Sequence, residues 1–170
     1  GVEVLGVHAG FPFGRYEYTA ALAPALFGVP LALACAWLVL LAYVAELLRH
    51  ATLSPLRRAL LGAAWLVAID LVIDPLAAGP LRYWRWTEPG WYHGVPLSNF
   101  AGWFATGAAL LALLPGGRKD GAPAAAWTGL SIVVFFGIIA AAHGLPGPAA
   151  VAALLAGAHF IVRRRPLPLA

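Results

Sequence analysis

The 170-residue chain is 62% hydrophobic and 11% charged, with seven Asp or Glu against eleven Lys or Arg and a mean hydropathy of +0.82. A soluble domain is about 45–50% apolar and about 25% charged, and disordered chains are more polar still. Disorder is excluded, and so little polar surface cannot coat a soluble core. The expectation is an all-α, polytopic transmembrane helical bundle forming one integral membrane domain over residues 1–170.

The chain has one Cys (Cys35), no Met, and begins at Gly1. An internal disulfide is excluded, and an N-terminally truncated chain that lacks preceding helices is expected. Gly1–Gly10 has neither the basic nor the apolar region of a signal peptide.

In chain order, residues 1–27 read as an outer, interfacial segment carrying Glu3, Arg15, Tyr16, Glu17 and Tyr18. A first span runs from about Gly28 to Leu48, with a re-entrant segment at Ala20–Val29 as a complication. A second runs from about Leu56 to Ile73. Residues 75–95 form an aromatic outer loop. Further spans run from about Pro96 to Leu114, Ala124 to Ala142 and Pro146 to Val162. Each approaches the roughly 20 apolar residues that a membrane helix needs. Pro30, Pro96, Pro123 and Pro146 stand at helix starts, where a missing N–H costs little. None of the five shows the polar face of a soluble bundle.

Arg49, Arg57, Arg58, Arg118, Lys119, Arg163, Arg164 and Arg165 fall on one side if five spans alternate. That side, with the C-terminus, is expected to be cytoplasmic. Glu3, Glu17, Asp70, Asp74 and Glu88 fall on the other, with Tyr16, Tyr18, Tyr83, Trp84, Trp86, Trp91 and Tyr92. Glu46 and Asp120 remain on the basic side, where Glu46 is placed to pair with Arg49 or His50. A short internal echo links Gly28-Val29-Pro30-Leu31, followed by Trp37, to Gly94-Val95-Pro96-Leu97, followed by Trp103 at the same spacing.

The sharpest chemical feature is Asp70-Leu71-Val72-Ile73-Asp74-Pro75. Carboxyls four residues apart share a helix face. Acids inside a span are costly and face a cavity or bundle interior. Two such groups close together cannot cheaply both ionise, so one would hold a proton as an acid while the other stays charged. The plain alternative for Asp74 is a helix cap or an ion pair with Arg82 or Arg85. Glu17 and Glu3 are further candidates, with Arg15 placed to hold either carboxylate. Trp84, Trp86, Trp91 and Tyr92 fit an interfacial belt, and also a wall that stabilises a cation. Asn99, Ser98 and Trp103 enter the third span from the same side. His93 and His143 are candidate proton carriers, while His50 and His159 read as structural. No metal, phosphate-loop, dinucleotide or nucleophile-elbow motif is present. The basic groups read as topology signals rather than nucleic-acid contacts.

Several motifs then resemble one family. These are Glu3-x-x-Gly6-x-x-x-Gly10-x-Pro12-Phe13-Gly14-x-Tyr16-x-Tyr18, Gly28-Val29-Pro30 with Trp37, Asp70-Leu71-x-x-Asp74-Pro75 and Trp84-x-Trp86. Gly90-x-Tyr92-x-Gly94-x-Pro96-x-x-Asn99-Phe100-x-Gly102-Trp103 completes the set. Together they are similar to carotenoid biosynthesis proteins of the carotenoid 1,2-hydratase type, called CruF in bacteria, whose members are usually longer at the N-terminus. The resemblance implies addition of water across the terminal 1,2 double bond of an acyclic carotenoid such as lycopene, γ-carotene or a bacterioruberin precursor. It implies no cofactor and no metal, a bacterial cell membrane as location, and association with other carotenoid enzymes.

On that reading Asp70, Asp74 and Glu17 are the expected catalytic groups: one carboxyl protonates the alkene and another directs water to the tertiary cation. Tyr16, Tyr18, Trp84, Trp86, Trp91, Tyr92, Asn99 and Trp103 are the expected substrate contacts. Glu3, Arg15, His93 and His143 are accessory candidates. Two rivals remain. An intramembrane prenyltransferase would use Asp-x-x-x-Asp as half of a Mg²⁺–diphosphate site, and a non-catalytic subunit would only hold pigment.

Overall fold

A computed structural model of the chain describes residues 2–114 and 121–164. Among them, five long helices form the bundle: α2 (Leu31–Leu47), α3 (Pro55–Ala78), α4 (Leu97–Leu113), α5 (Pro123–Ala142) and α6 (Pro146–Arg164), preceded by a short α1 (Val2–Ala9). Pro30 and Pro96 are the N-caps of α2 and α4, and Pro123 and Pro146 open α5 and α6. The five expected spans are thus present as helices with proline starts.

Three of these helices, α3, α5 and α6, are long and apolar enough to cross a membrane. The 17 residues of α2 and α4 reach only about 25 Å, slightly less than a hydrocarbon core of about 30 Å. Their first turns meet a capping layer built from α1 and short strands. Leu38, Phe135, Ile138 and Leu154 point outward from the bundle. Such exposed apolar surface is an association hazard in water and is at home in lipid. The chain is an all-α helical membrane protein.

The middle of the bundle is α3, which touches each of the other four long helices. Small residues let the backbones approach, as membrane packing requires. A Cβ on Gly107 would lie 2.8 Å from Leu66 Cδ1, and one on Gly137 would lie 2.5 Å from the Ala152 Cβ. A Cβ on Gly129 would run into the ring of Tyr43. That ring is fully buried, and its hydroxyl lies 3.1 Å from Nδ1 of the equally buried His159, joining α2 to α6. At the basic end, Glu46 pairs with Arg49 at 3.2 Å and accepts the Ala122 N–H at 3.0 Å, placing a carboxylate at the positive start of α5. Arg118, Lys119, Asp120, Arg165 and the Arg164 side chain lie outside the described residues.

The structure differs from the sequence reading at three places. The segment 1–27 is not simply interfacial chain. It holds α1 and then β1 (Tyr16–Tyr18), which pairs antiparallel with β4 (Trp84–Trp86) in the loop after α3. No re-entrant helix occupies Ala20–Val29. A 3₁₀ turn (Ala20–Leu22) and a small hairpin of β2 (Ala25–Leu26) and β3 (Val29–Pro30) stand there. The hairpin turns at Phe27-Gly28, with φ of 52° and 79°, and the corresponding turn at His93-Gly94 has φ of 50° and 83°. Positive φ at both central residues is the type I′ pattern that suits a two-residue hairpin. The internal echo is therefore structural. Each copy is a tight turn, then Val-Pro-Leu entering a helix, then a tryptophan, and the two tryptophans, Trp37 and Trp103, stack at 4.2 Å with 18° between planes.

The third difference is the end of the second span. The sequence reading stops it at Ile73, whereas α3 continues through Pro75 to Ala78. Pro75 has no N–H to give to the Leu71 carbonyl. The Tyr92 hydroxyl donates to that carbonyl instead, at 3.0 Å. The helix survives its proline because another segment fills the vacated bond, as neighbours do in membrane helices.

Two stability outcomes follow, both measured as Tm in detergent. Tyr92→Phe is expected to lower stability by about 1 kcal/mol, the cost of an orphaned part-buried carbonyl, and Pro75→Ala should remove most of that penalty by restoring the helical donor. Gly129→Val should cost about 1–3 kcal/mol through overpacking against Tyr43. Gly157→Ala, where an added Cβ meets nothing within 4 Å, should be neutral or stabilising.

Candidate active site

The last turns of α3 carry Asp70 and Asp74 into the interior, 2% and 1% exposed. Asn99, in the first turn of α4, bridges them. Its Nδ2 donates to Asp70 Oδ2 and to Asp74 Oδ2, each at 2.6 Å. One amide N–H pair thus binds two carboxyls on successive turns of another helix. Asp74 Oδ1 also accepts Trp84 Nε1 at 2.8 Å and Trp86 Nε1 at 3.3 Å. Three donors serve Asp74 and one serves Asp70.

The ladder supplies the rings. Side chains alternate across a strand, so Tyr16 and Tyr18 of β1 share one face with Trp84 and Trp86 of β4, in the register Tyr16↔Trp86 and Tyr18↔Trp84. The paired rings meet edge to face at 5.1 and 6.0 Å. The two indoles donate to Asp74. The two phenols donate to Glu3, Tyr16 at 2.8 Å and Tyr18 at 2.9 Å, both to Oε2. Trp37 Nε1 donates to the other oxygen, Glu3 Oε1, at 2.8 Å. Trp37 stacks on Trp103, one helical turn beyond Asn99. A circuit of contacts therefore runs from Trp103 through Trp37, Glu3, Tyr16, Trp86 and Asp74 to Asn99 and Asp70, and α4 carries both Trp103 and Asn99.

The electrostatics match. Burial, and then the charge of Glu3, push both phenols up beyond the ordinary tyrosine range, and the charge of Asp74 adds to this at Tyr16. Tyr16 thus lies in the field of both acids. Both phenols stay protonated, and so remain donors, throughout neutral pH.

Not every sequence candidate joins the circuit. Glu17 sits between the two tyrosines on the opposite face of β1. It is exposed and in register with the equally exposed Arg85. Arg15 is exposed, and Glu3 takes its hydrogen bonds from ring donors instead. Trp91 is 81% exposed. Tyr92 is committed to the Leu71 carbonyl. His93 and His143 are exposed. Asp74 is not a loop-helix cap; it lies inside α3, held by indole and amide donors. Two residues outrank their place in the sequence reading. Glu3 is a centre of the site, and Trp37 is its third donor; the echo around Trp37 and Trp103 was the available signal. Phe13 is 2% exposed beside Trp37, and its carbonyl accepts the Ser98 hydroxyl at 3.1 Å.

The site makes a spectroscopic prediction. In an alkaline titration followed by tyrosinate absorbance, Tyr16 and Tyr18 should stay un-ionised above pH ~10, where free tyrosine ionises. Folding favours their neutral form, so the associated stability is complete below that range and is lost as pH rises through the shifted values. Glu3→Gln should bring both ionisations down, though not to the ordinary value, because burial remains.

A family model described as carotenoid biosynthesis protein matches residues 1–159. A bisanhydrobacterioruberin hydratase from Haloarcula japonica is 38% identical over 118 residues, which cover 66% of this chain and 40% of that protein. No solved structure matches. The chain thus spans less than half the length of the relative, and it belongs to the carotenoid biosynthesis protein family.

Proposed function

We propose that the site hydrates the terminal 1,2 double bond of an acyclic carotenoid end group. The observation that carries this reading is the buried Asp70–Asn99–Asp74 bridge, set against a wall of ring donors in a carotenoid biosynthesis protein. A trisubstituted alkene accepts a proton at its less substituted carbon, C2, and becomes a tertiary cation at C1. This needs an acid kept from water. Asp70, with a single donor, is that acid. Asp74, with three donors, stays ionised and offsets the cation's charge. The faces of Trp103 and Trp86 supply cation–π stabilisation, about 0.5–2 kcal/mol each. Addition of water at C1 yields the tertiary alcohol.

The hydratase name of the Haloarcula japonica relative supports water addition, and the family supports a hydrocarbon substrate. The carotenoid body would lie along the apolar helices with one end at the outer layer. The acids are buried behind the aromatic wall, so the substrate end reaches them by displacing part of it. Arg49, Arg57, Arg58 and Arg163 gather at the opposite end of the helices, which supports a cytoplasmic C-terminus. The prenyltransferase rival is disfavoured by the donor set. Indole and amide N–H groups take three of the about four acceptor sites of Asp74, so a bridging cation would have to compete with them.

The test is expression of the whole protein in hosts that accumulate lycopene or γ-carotene, with pigments weighed for the gain of one water. Asp70→Asn should lower hydration about 10²–10⁴-fold, the usual worth of a general acid, with pigment binding kept. Glu17→Gln should hydrate like wild type, and a chelator should leave the rate unchanged. Full activity in Asp70→Asn would instead indicate a pigment-holding role.

A further inference from the structure

We propose that Glu3 is the base of the reaction, taking the proton from the water that adds to the cation. This rests on the hydratase reading above and adds a second catalytic carboxylate to it.

The outer layer has two halves. Asp74 stands on a helix, α3, and receives N–H donors from an aromatic–charged–aromatic strand, Trp84-Arg85-Trp86. Glu3 stands on a helix, α1, and receives O–H donors from an aromatic–charged–aromatic strand, Tyr16-Glu17-Tyr18. The strands pair antiparallel about Glu17↔Arg85. Each strand is followed by a type I′ turn, then Val-Pro-Leu, then a helix whose tryptophan stacks on its counterpart. The layer is therefore two copies of one device, each presenting a carboxylate beneath a pair of rings. The Asp70–Asp74 half accounts for proton donation. The Glu3 half has the same construction and no role in that step.

The surroundings of Glu3 suit a base. All three of its partners are donors, two hydroxyls and one indole N–H. An ionised carboxylate has about four acceptor sites, so one is left for a water O–H. Glu3 is only half-buried, whereas Asp70 and Asp74 are sealed, so water reaches Glu3 more readily. The Trp37–Trp103 stack joins its indole donor to the helix turn that carries Asn99.

The step balances. The Asp70 O–H bond breaks and the alkene π pair forms C2–H, leaving the cation at C1. A water lone pair forms the C1–O bond. The oxonium O–H bond then breaks, its proton passing to Glu3 and its electron pair staying on oxygen. Glu3 releases that proton to solvent, and Asp70 regains one. The sum is alkene plus water to alcohol.

Turnover of lycopene in D₂O by the whole protein separates the roles. Wild type should give alcohol with one deuterium at C2. Asp70→Asn should give neither alcohol nor deuterium. Glu3→Gln still forms the cation but lacks the base, so it reverts to alkene. It should lose at least about 10²-fold in alcohol while deuterium accumulates in recovered, unhydrated lycopene. Glu3→Asp should restore part of the hydration. Tm in detergent checks that each variant is folded. The proposal is overturned if folded Glu3→Gln hydrates at the wild-type rate, or if it shows neither hydration nor exchange. It is also overturned if misfolded Glu3→Gln is accompanied by a folded Glu3→Asp that shows neither hydration nor exchange. Absence of alcohol and of deuterium from wild type would sink the hydratase reading itself, a distinct outcome.

Discussion

One amide holds together the half of this protein away from its basic end. Asn99 reaches from α4 to both Asp70 and Asp74, and without it two carboxyls on successive turns of the central helix would be buried with no shared donor. Taking an ionised carboxylate out of water costs several kcal/mol, so the site needs compensation from every direction. Asn99 provides it from α4, and Trp84 and Trp86 provide it from the following loop. Committing those indoles to Asp74 fixes the face of β4. That in turn fixes the register of β1, which aims Tyr16 and Tyr18 at Glu3. The capping layer is thus an extension of the problem posed by two buried acids.

The same constraint explains the membrane geometry. The helices α2 and α4 are short, and the layer over their first turns carries Glu3 and the rings, with Asp74 of α3 bonded to its indoles. Polar chemistry is gathered at the boundary of the apolar bundle, where a hydrocarbon chain and water can both arrive. The fold needs α3 to run through Pro75 for Asp74 to face Asn99. The Tyr92 hydroxyl makes this tolerable by accepting the duty of the missing N–H. A residue expected to touch substrate is therefore engaged with the backbone of the helix that carries Asp70 and Asp74.

Much of this was legible in the residues. Apolar runs, four of them with proline starts, located five helices, and the four-residue spacing of Asp70 and Asp74 placed both on one face. Other features were hidden because they depend on non-local bonds. Eight residues of α1 are too few for a periodic signal, and the three-residue β1–β4 ladder is set by which acids its rings reach. The second span read as ending at about Ile73, because the donor that carries α3 past Pro75 lies 17 positions downstream of that proline, at Tyr92. The choice of Glu17 over Glu3 had a local remedy. Tyr16-Glu17-Tyr18 and Trp84-Arg85-Trp86 both alternate, so rings that face inward turn Glu17 and Arg85 outward.

The central claim is that the Asp70–Asp74 pair holds one proton at neutral pH and that Asp70 carries it. Difference infrared spectroscopy on the purified protein tests this directly through the carbonyl stretch of protonated carboxylic acids. The account predicts a protonated-carboxyl band in wild type that shifts in D₂O, disappears in Asp70→Asn and persists in Glu17→Gln. A neutral-pH spectrum without such a band, or one that Asp70→Asn leaves unchanged, would contradict it.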